Sequence, residues 1–230
     1  MAEKKTKSGL IFLRMCLLYP SYFPNIASYL ILTQHKDLCF EVNDNYQKQT
    51  YRNRCYIYGA NGKMGLHIPV HYTQNKRQKT QDILIDNSTP WKNVQWKSIE
   101  SAYKTSPFFE FYEDELRPLF QKEDNLLLSF VLECIKAINH CLEFDFNHTT
   151  SKVFKKESTE NDFRFLINAR KTAIIQTKPY IQVFQAKHGY ISNLSILDLL
   201  FNMGPETLNY LKTHPPIQIN IEKHQGLLNF

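Results

Sequence analysis

The N-terminal part of the chain alternates between compact apolar runs and a helical pattern. Leu10–Leu18 and Leu38–Val42 are short apolar runs of the kind that forms buried strands, and apolar residues recur between them at helical spacing from Asn25 onward. Strand, helix and strand in this order predict a parallel βαβ unit. Ligands of such units gather where the parallel strands end, which is here at Tyr19–Phe23 and Glu41–Asn43.

The pattern then predicts a hairpin. Asn61-Gly62, a preferred pair for tight turns, separates the strand patterns Cys55–Tyr58 and Leu66–Tyr72. Pro69 indicates an edge position or a bulge in the second of these strands. Ile83–Ile85 predicts a further short strand.

The second half of the chain is mainly helical in pattern. Helices are predicted from Thr89, as the N-cap, to Tyr103, then over Phe108–Phe120, Leu126–Leu142, Phe163–Leu166, Ser195–Asn202 and Pro205–Leu211. Thr149–Glu160 is polar and predicts a connection, Tyr180–Phe184 predicts a strand, and the last fifteen residues predict a tail strand or a loose end. We therefore predict an α/β fold, in which an N-terminal βαβ unit with a mixed sheet and a hairpin packs with several C-terminal helices. A single domain over residues 1–230 is expected.

Composition narrows the class of protein. The 230 residues are 43% hydrophobic, and no run approaches the roughly 20 apolar residues of a membrane span. The five cysteines form no Cys-x-x-Cys pair, so neither a disulfide framework nor a zinc site is indicated. We expect a soluble protein of the cytoplasm, with no transmembrane segment.

The net charge of +6 is concentrated in one region. Between Asn45 and Gln81 the chain has seven Lys and Arg residues and no Asp or Glu, which favours an anionic partner. The first group of cations alternates with tyrosine and asparagine, a mixture suited to phosphate binding and ring stacking: Tyr46, Lys48, Tyr51, Arg52, Asn53 and Arg54. Lys76, Arg77 and Lys79 lie in a polar run and are interpreted as a solvated loop. A strand edge protected by charge is the alternative interpretation of the first group.

Common catalytic signatures are missing from the sequence. It contains no Gly-rich phosphate loop, no H-E-x-x-H and no G-x-S-x-G. His67 and His71 would share one face of a strand, but without a third ligand in view they are interpreted as surface histidines. No metal site is predicted, and neither a cofactor nor a catalytic residue is identified.

Five blocks of the sequence, in order along the chain, resemble the WbqC-like protein family: Tyr19–Pro24, Tyr46–Arg54, Ser101–Phe109, Pro179–Phe184 and Asn193–Glu206. Members of this family are associated with bacterial O-antigen and other surface-polysaccharide gene clusters, and glycine (aminoacyl) transfer to sugars has been proposed for them. The resemblance therefore implies a transferase that binds an anionic nucleotide- or lipid-linked sugar. The chain departs from longer members at Leu18-Tyr19 and in a compressed region, Phe146–Ala173.

We expect the substrate to be bound in one cleft by seven residues: Tyr19, Tyr22, Lys48, Tyr51, Arg52, Asn53 and Arg54. Arg52 and Arg54 alternate along an extended segment, so both should point to one side and offer two guanidinium groups to a diphosphate. Tyr180, Gln182 and Asp198 are further candidates for substrate binding. Asp198 is equally well interpreted as a buried residue that caps or braces the Asn193–Asn202 turn.

The sequence leaves two hypotheses of different classes. The first is the transferase of surface-glycan assembly. The second is a non-catalytic module that binds a polyanion or nucleic acid through the basic, tyrosine-rich segment. We favour an anionic small-molecule or lipid-linked sugar over nucleic acid as the partner. Whether the protein is an enzyme, and its oligomeric state, are not determined by these patterns.

Overall fold

The computed structural model describes residues 15–73, 77–156, 161–169 and 175–216. The strands are β1 (Cys16–Leu18), β2 (Leu38–Phe40), β3 (Arg54–Gly59), β4 (Gly62–His67), β5 (Val70–His71), β6 (Leu84–Ile85) and β7 (His148–Thr150). The helices are α1 (Ile26–Gln34), α2 (Trp91–Tyr103), α3 (Phe109–Leu116), α4 (Leu127–Cys141), α5 (Gln185–His188), α6 (Ile196–Met203) and α7 (Glu206–Thr213). The start of the predicted first strand and the predicted tail lie outside the described residues.

The α/β fold class is confirmed, and β1, α1 and β2 form its βαβ unit. β1 pairs with β2 in parallel, with Cys16 opposite Leu38. The intervening helix begins where the sequence predicts, because the Asn25 side chain accepts a hydrogen bond from the Ser28 amide at 2.9 Å and so caps the first turn. Proline at position 24 keeps the preceding loop out of helical geometry.

Two polar segments complete the parallel sheet, and the sequence patterns missed both. β7 pairs in parallel with β2 on the side opposite β1, although Thr149–Glu160 was predicted to be a connection. All three side chains of β7 are exposed, so the strand has no apolar signal. At the other margin, the Leu17 amide donates to Asn161 O and the Phe163 amide donates to Leu17 O, both at 2.9 Å. Later segments of the chain therefore lie along both edges of the βαβ unit, β7 beside β2 and residues 161–163 beside β1.

The predicted hairpin is present as β3 and β4, which pair antiparallel. Gly59 pairs with Gly62, so the turn residues are Ala60 and Asn61, and Gly62 has a positive φ of 97° that suits glycine. Pairing breaks at Ile68-Pro69 and resumes at β5, which pairs with β6. This small sheet is separate from the parallel one.

The predicted strand Tyr180–Phe184 is wrong. Tyr180 and Gln182 are buried whereas Ile181 is 84% exposed, an alternation that is typical of a strand. However, no described strand lies beside this segment. The two buried side chains, Tyr180 and Gln182, instead donate hydrogen bonds to the Asp198 carboxylate.

Smaller differences occur at helix ends. The N-cap of α2 is Pro90, so the helix begins one residue later than expected, without a side-chain cap from Thr89. The predicted helix Phe108–Phe120 ends as α3 at Leu116, and a 3-10 turn over Arg117–Phe120 follows because Pro118 cannot continue the α-helical bonding.

α1 is the central helix of the core. Every residue from Ile26 to Leu32 is buried, so this helix is apolar all round rather than amphipathic. The C-terminal helices α6 and α7 pack against it, while α2 packs on β3 and α3 packs on α4. In the described part of the chain, no helix has both the length and the apolar character needed to span a bilayer.

Gly204 tests how tightly the C-terminal helices are packed. A Cβ at Gly204 would lie 2.4 Å from Phe108 Cδ1, and the φ of 55° already disfavours other residues. We expect Gly204→Ala to lower the free energy of unfolding by about 2 to 4 kcal/mol, measured in urea. Gly189→Ala is the matched control, because φ is 75° there and nothing lies within 4 Å of the added Cβ. Equal losses in the two variants would contradict the close contact with Phe108.

Candidate functional site

A pocket of about 580 Å³ opens at the edge of the sheet where the parallel strands end. Its walls come from the segments that follow β1, β2, β7 and the Leu17–Asp162 bridge. This is the edge at which the sequence predicts ligand binding. We call it the carboxyl-edge pocket, and its lining residues are Tyr19, Asp44, Asn45, Gln47, Arg77, Phe154, Lys156, Asp162, Arg164, Phe165 and Ile167.

The inner wall of the pocket is held by a buried ion pair between Arg52 and Asp44. The Arg52 NH2 group lies 2.5 Å from Asp44 Oδ2, and the two side chains are 1% and 4% exposed. The other Asp44 oxygen accepts from the Thr80 hydroxyl at 2.6 Å, and Arg52 NH1 donates to the Thr50 hydroxyl at 3.2 Å. The two charges thus neutralise each other, as burial of an ion pair requires, although Arg52 Nε is buried without a hydrogen bond in the described residues.

The Tyr19 ring packs against the guanidinium group of this ion pair and lines the cavity. The Arg52 guanidinium carbon is 4.0 Å from the centroid of the Tyr19 ring, a cation–π contact. Burial raises the pKa of the Tyr19 hydroxyl well above its ordinary value, and the negative charge of Asp44 adds to this effect. Tyr19 is therefore a neutral phenol whose ring lines the pocket.

A second ion pair, between Asp162 and Arg164, forms the opposite wall. Arg164 Nε and NH2 donate to the two oxygens of Asp162 at 2.9 and 2.6 Å, in a bidentate arrangement. NH1 donates to Lys155 O at 2.7 Å, which fixes the segment that follows β7. Burial alone would lower the pKa of Arg164, but the hydrogen bonds and the charge of Asp162 raise it above its ordinary value. The guanidinium therefore stays charged.

Two exposed cations, Arg77 and Lys156, complete the polar lining. Arg77 directly precedes a segment that is held by main-chain hydrogen bonds: the Tyr46 amide donates to Gln78 O at 2.8 Å and the Thr80 amide donates to Asp44 O at 2.9 Å. Counting Arg52 beneath Tyr19, the positive groups of the pocket exceed its two carboxylates by two in the described residues. The pocket is therefore suited to an anion.

The structure separates the seven residues that the sequence placed around one cleft. Of these, Tyr19 lines the carboxyl-edge pocket. Tyr22 is fully buried and donates to Gln95 Oε1 at 2.7 Å, and Tyr51 is buried against Ile167. Arg52 is not the exposed guanidinium group that the alternation predicted, because its charge is already bound by Asp44.

The remaining three of the seven, Lys48, Asn53 and Arg54, line a different cavity of about 430 Å³. We call it the hairpin groove, and its lining residues are Tyr46, Lys48, Gln49, Asn53, Arg54, His67, Ile68, Pro69, Val70 and Tyr72. Arg52 and Arg54 therefore do not share one side. The prediction failed because residues 51–53 form a turn and a bend before β3 begins at Arg54, so strand alternation does not hold there.

Tyr180, Gln182 and Asp198 form a third group, buried beside Tyr103. The Asp198 carboxylate accepts from Tyr103 at 2.8 Å, from Gln182 Nε2 at 2.8 Å and from the Tyr180 hydroxyl. Complete burial raises the pKa of Asp198 to about 6, and the three hydrogen bonds limit the rise because they favour the carboxylate. These contacts join α2, α6 and the segment before α5, as a structural brace would.

Several residues of the carboxyl-edge pocket escaped the sequence analysis. Arg77 belongs to the basic stretch but was interpreted as part of a solvated loop. Phe154, Lys156, Asp162 and Arg164 lie in the region that resembles the family least, and their positions depend on β7 and on the bridge at Leu17. Their only sequence signal is the pairing of an acid with an arginine two residues later, which is common in loops.

Metal binding receives no support from the side chains that the structure describes. His67 and His71, expected to share a strand face, lie on different strands, and both are exposed. Within residues 15–73, 77–156, 161–169 and 175–216, no three His, Cys, Asp or Glu side chains cluster as metal ligands.

Comparison with known proteins gives a family match and one distant relative. The model of the WbqC-like protein family matches residues 19–177. An uncharacterized protein of Mycobacterium tuberculosis, Rv1507c, is 26% identical over 196 residues, which cover 73% of this chain and 84% of that protein. No solved structure matches the chain. The family match spans the carboxyl-edge pocket and the hairpin groove, and it ends before Asp198.

Removing one partner of the buried ion pair should destabilise the whole fold. We expect Asp44→Asn to lower the free energy of unfolding by about 3 kcal/mol or more, because the Arg52 charge is left unpaired in the interior. The measurement is urea unfolding. Glu100→Gln, which removes the exposed partner of Lys104 at 3.9 Å, should change stability by less than about 0.5 kcal/mol. A similar small change in both variants would contradict the role given to the Arg52–Asp44 pair.

The raised pKa of Asp198 predicts a pH dependence of stability. The folded state keeps the Asp198 proton up to about pH 6, whereas the unfolded chain loses it near the ordinary value of 3.8. The stabilisation that this proton provides is present below pH 3.8 and is lost as the pH rises through 6.

The measurement is the unfolding free energy of the wild type minus that of Asp198→Asn at each pH. The contributions of the other titrating groups cancel in this difference. The difference should fall by roughly 2 kcal/mol between about pH 4 and pH 7. A difference that stays constant over this range would show that Asp198 titrates normally.

Proposed function

This chain belongs to the WbqC-like protein family, and on that premise we propose that it is a cytoplasmic transferase of surface-polysaccharide biosynthesis. In this proposal the carboxyl-edge pocket binds the diphosphate of a nucleotide- or lipid-linked sugar. The transferred group that agrees with the family resemblance is an aminoacyl group such as glycine. A single domain carries the activity.

The observation that carries this proposal is the match between pocket charge and ligand charge. The positive groups in and directly behind the pocket exceed the carboxylates by two, and a sugar diphosphate diester carries two negative charges. The pocket lies at the carboxyl ends of parallel strands, where α/β proteins commonly bind ligands. Its volume of about 580 Å³ lies in the range of small-molecule sites.

The lining residues divide into rigid and adaptable groups. Arg164 is fixed by Asp162 and by Lys155 O, so it supplies a positive field in a set position. Arg77 and Lys156 are exposed and can close on the phosphates from the rim. The rings of Tyr19, Phe154 and Phe165 offer flat surfaces for a base, a sugar or a prenyl chain.

Both carboxylates of the pocket are already engaged. Asp44 is bound by Arg52 and Thr80, and Asp162 is bound by Arg164. Neither is therefore assigned as a general base. Their role in this proposal is to hold the cationic side chains and Tyr19 in position.

Ligand binding tests the proposal directly. We expect uridine diphosphate glucose, or farnesyl-diphosphate-linked glucose if the natural carrier is a lipid, to bind the wild-type protein in calorimetry at fixed ionic strength. Arg77→Gln and Lys156→Gln should each weaken this binding about tenfold or more, because each removes a charge-assisted contact with phosphate. Lys104→Gln, at the exposed C-terminal end of α2, is the matched control.

The outcomes separate the two classes of function. Binding that Lys104→Gln weakens as much as the pocket variants do would contradict a specific pocket. If a single-stranded oligonucleotide binds instead, with an affinity that falls steeply with salt and ignores base sequence, the non-catalytic polyanion module is correct. Failure of both diphosphates to bind would also overturn the proposal.

A further inference from the structure

The segment that follows β7 carries two consecutive apolar side chains that are exposed. Val153 is 70% exposed and Phe154 is 40% exposed. Of the seven large apolar side chains that are exposed in the described residues, these are the only two that are neighbours in sequence. Single exposed apolar side chains are common on protein surfaces, whereas a contiguous apolar surface marks a place where a partner or a membrane binds.

The same segment is positively charged. Its sequence is Lys152-Val153-Phe154-Lys155-Lys156, and all three lysines are exposed. We call residues 152–156 the lysine-flanked loop. Arg77 is also exposed and lines the same pocket as Phe154, so it adds a fourth positive charge beside the loop. The two carboxylates of that pocket are each bound by an arginine. The apolar pair therefore lies within a positively charged surface.

The lysine-flanked loop is held in position at both ends. Immediately before it, the Ser151 amide donates to Phe40 O at 2.9 Å. Near its other end, Arg164 NH1 donates to Lys155 O at 2.7 Å. The Arg164 guanidinium carbon also lies 5.5 Å from the centroid of the Phe154 ring. The apolar pair is therefore exposed on an anchored loop.

Apolar and positively charged side chains in this arrangement fit the surface of an anionic membrane. The apolar groups enter the boundary between headgroups and acyl chains, while the lysine ammonium groups stay among the anionic headgroups. A specific protein interface takes about 20 to 30 residues on each side, which is far more than this loop supplies. Nucleic acid would attract the lysines, but it would leave the Val153 side chain in water.

We infer that the lysine-flanked loop docks the protein on an anionic lipid bilayer. Val153 and Phe154 enter the interface, and the flanking lysines bind the headgroups. Since Phe154 also lines the carboxyl-edge pocket, docking brings the mouth of this pocket to the surface of the bilayer. The inference does not rest on the function proposed for the pocket.

Vesicle binding tests this inference, measured by co-sedimentation at fixed ionic strength. Mixed vesicles of phosphatidylcholine and phosphatidylglycerol should bind the wild type about tenfold or more tightly than pure phosphatidylcholine does. Val153→Ser should weaken binding to the mixed vesicles about tenfold, and Lys152→Gln about fivefold. Both residues are exposed and lie outside the lining of the pocket. The matched controls on α2, Val94→Ser and Lys104→Gln, should bind as the wild type does.

A fluorescent probe at position 153 tests insertion separately from electrostatic attraction. In Val153→Trp, mixed vesicles with brominated acyl chains should quench the added indole, because the side chain enters the acyl boundary. The native Trp91 and Trp96 are both 6% exposed, so the wild type is the control for their contribution. Binding without additional quenching in Val153→Trp would contradict insertion of the apolar pair.

The other outcomes separate the bilayer from a polyanion and from the pocket. Suppose that Val153→Ser leaves vesicle binding unchanged while Lys152→Gln weakens salt-sensitive binding of a single-stranded oligonucleotide. The surface then binds nucleic acid, and the inference is wrong. No binding to mixed vesicles, or equal weakening by Val94→Ser, would also overturn it. Uridine diphosphate glucose should bind Val153→Ser as it binds the wild type, so docking and the proposed function can fail independently.

Discussion

The buried contact between Arg52 and Asp44 is the interaction on which both cavities depend. It joins the segment after β2 to the segment before β3, and through Thr80 it also fixes the chain that carries Arg77. On one side it supports the ring of Tyr19 in the carboxyl-edge pocket. On the other side, the residues that directly follow Arg52 line the hairpin groove. A charged pair in this position is costly to desolvate, and the contacts of both partners connect three loops that are distant in sequence.

The parts of the fold that could be predicted from sequence are those with a local physical cause. Asn25 and Ser195 cap their helices as expected, since an N-cap needs only one side chain and the next turn. The apolar runs around Leu18 and Leu38 predict buried strands, and a short helical link makes them parallel. The polar strand β7 and the bridge of Asp162 to Leu17 have no such cause. They form because neighbouring strands offer unpaired main-chain groups, which sequence periodicity does not report.

The candidate site, like the fold, could be predicted only in part. The sequence predicted the edge of the sheet at which the carboxyl-edge pocket lies, and it identified the basic stretch that contains Arg52 and Arg77. It could not sort those charges, because a cation that binds a carboxylate and a cation that faces a cavity look alike in sequence. Arg52 is bound inside the protein, Arg54 lines the hairpin groove and Arg77 lines the carboxyl-edge pocket. Only the packed structure shows which charges are already satisfied.

Residues 45–49 form a wall between the two cavities, because Asn45 and Gln47 line the carboxyl-edge pocket whereas Tyr46 and Lys48 line the hairpin groove. Consecutive side chains of this strip therefore face different cavities. A substitution that displaces the backbone at Gln47 also displaces Lys48, so a change made in one cavity alters the shape of the other.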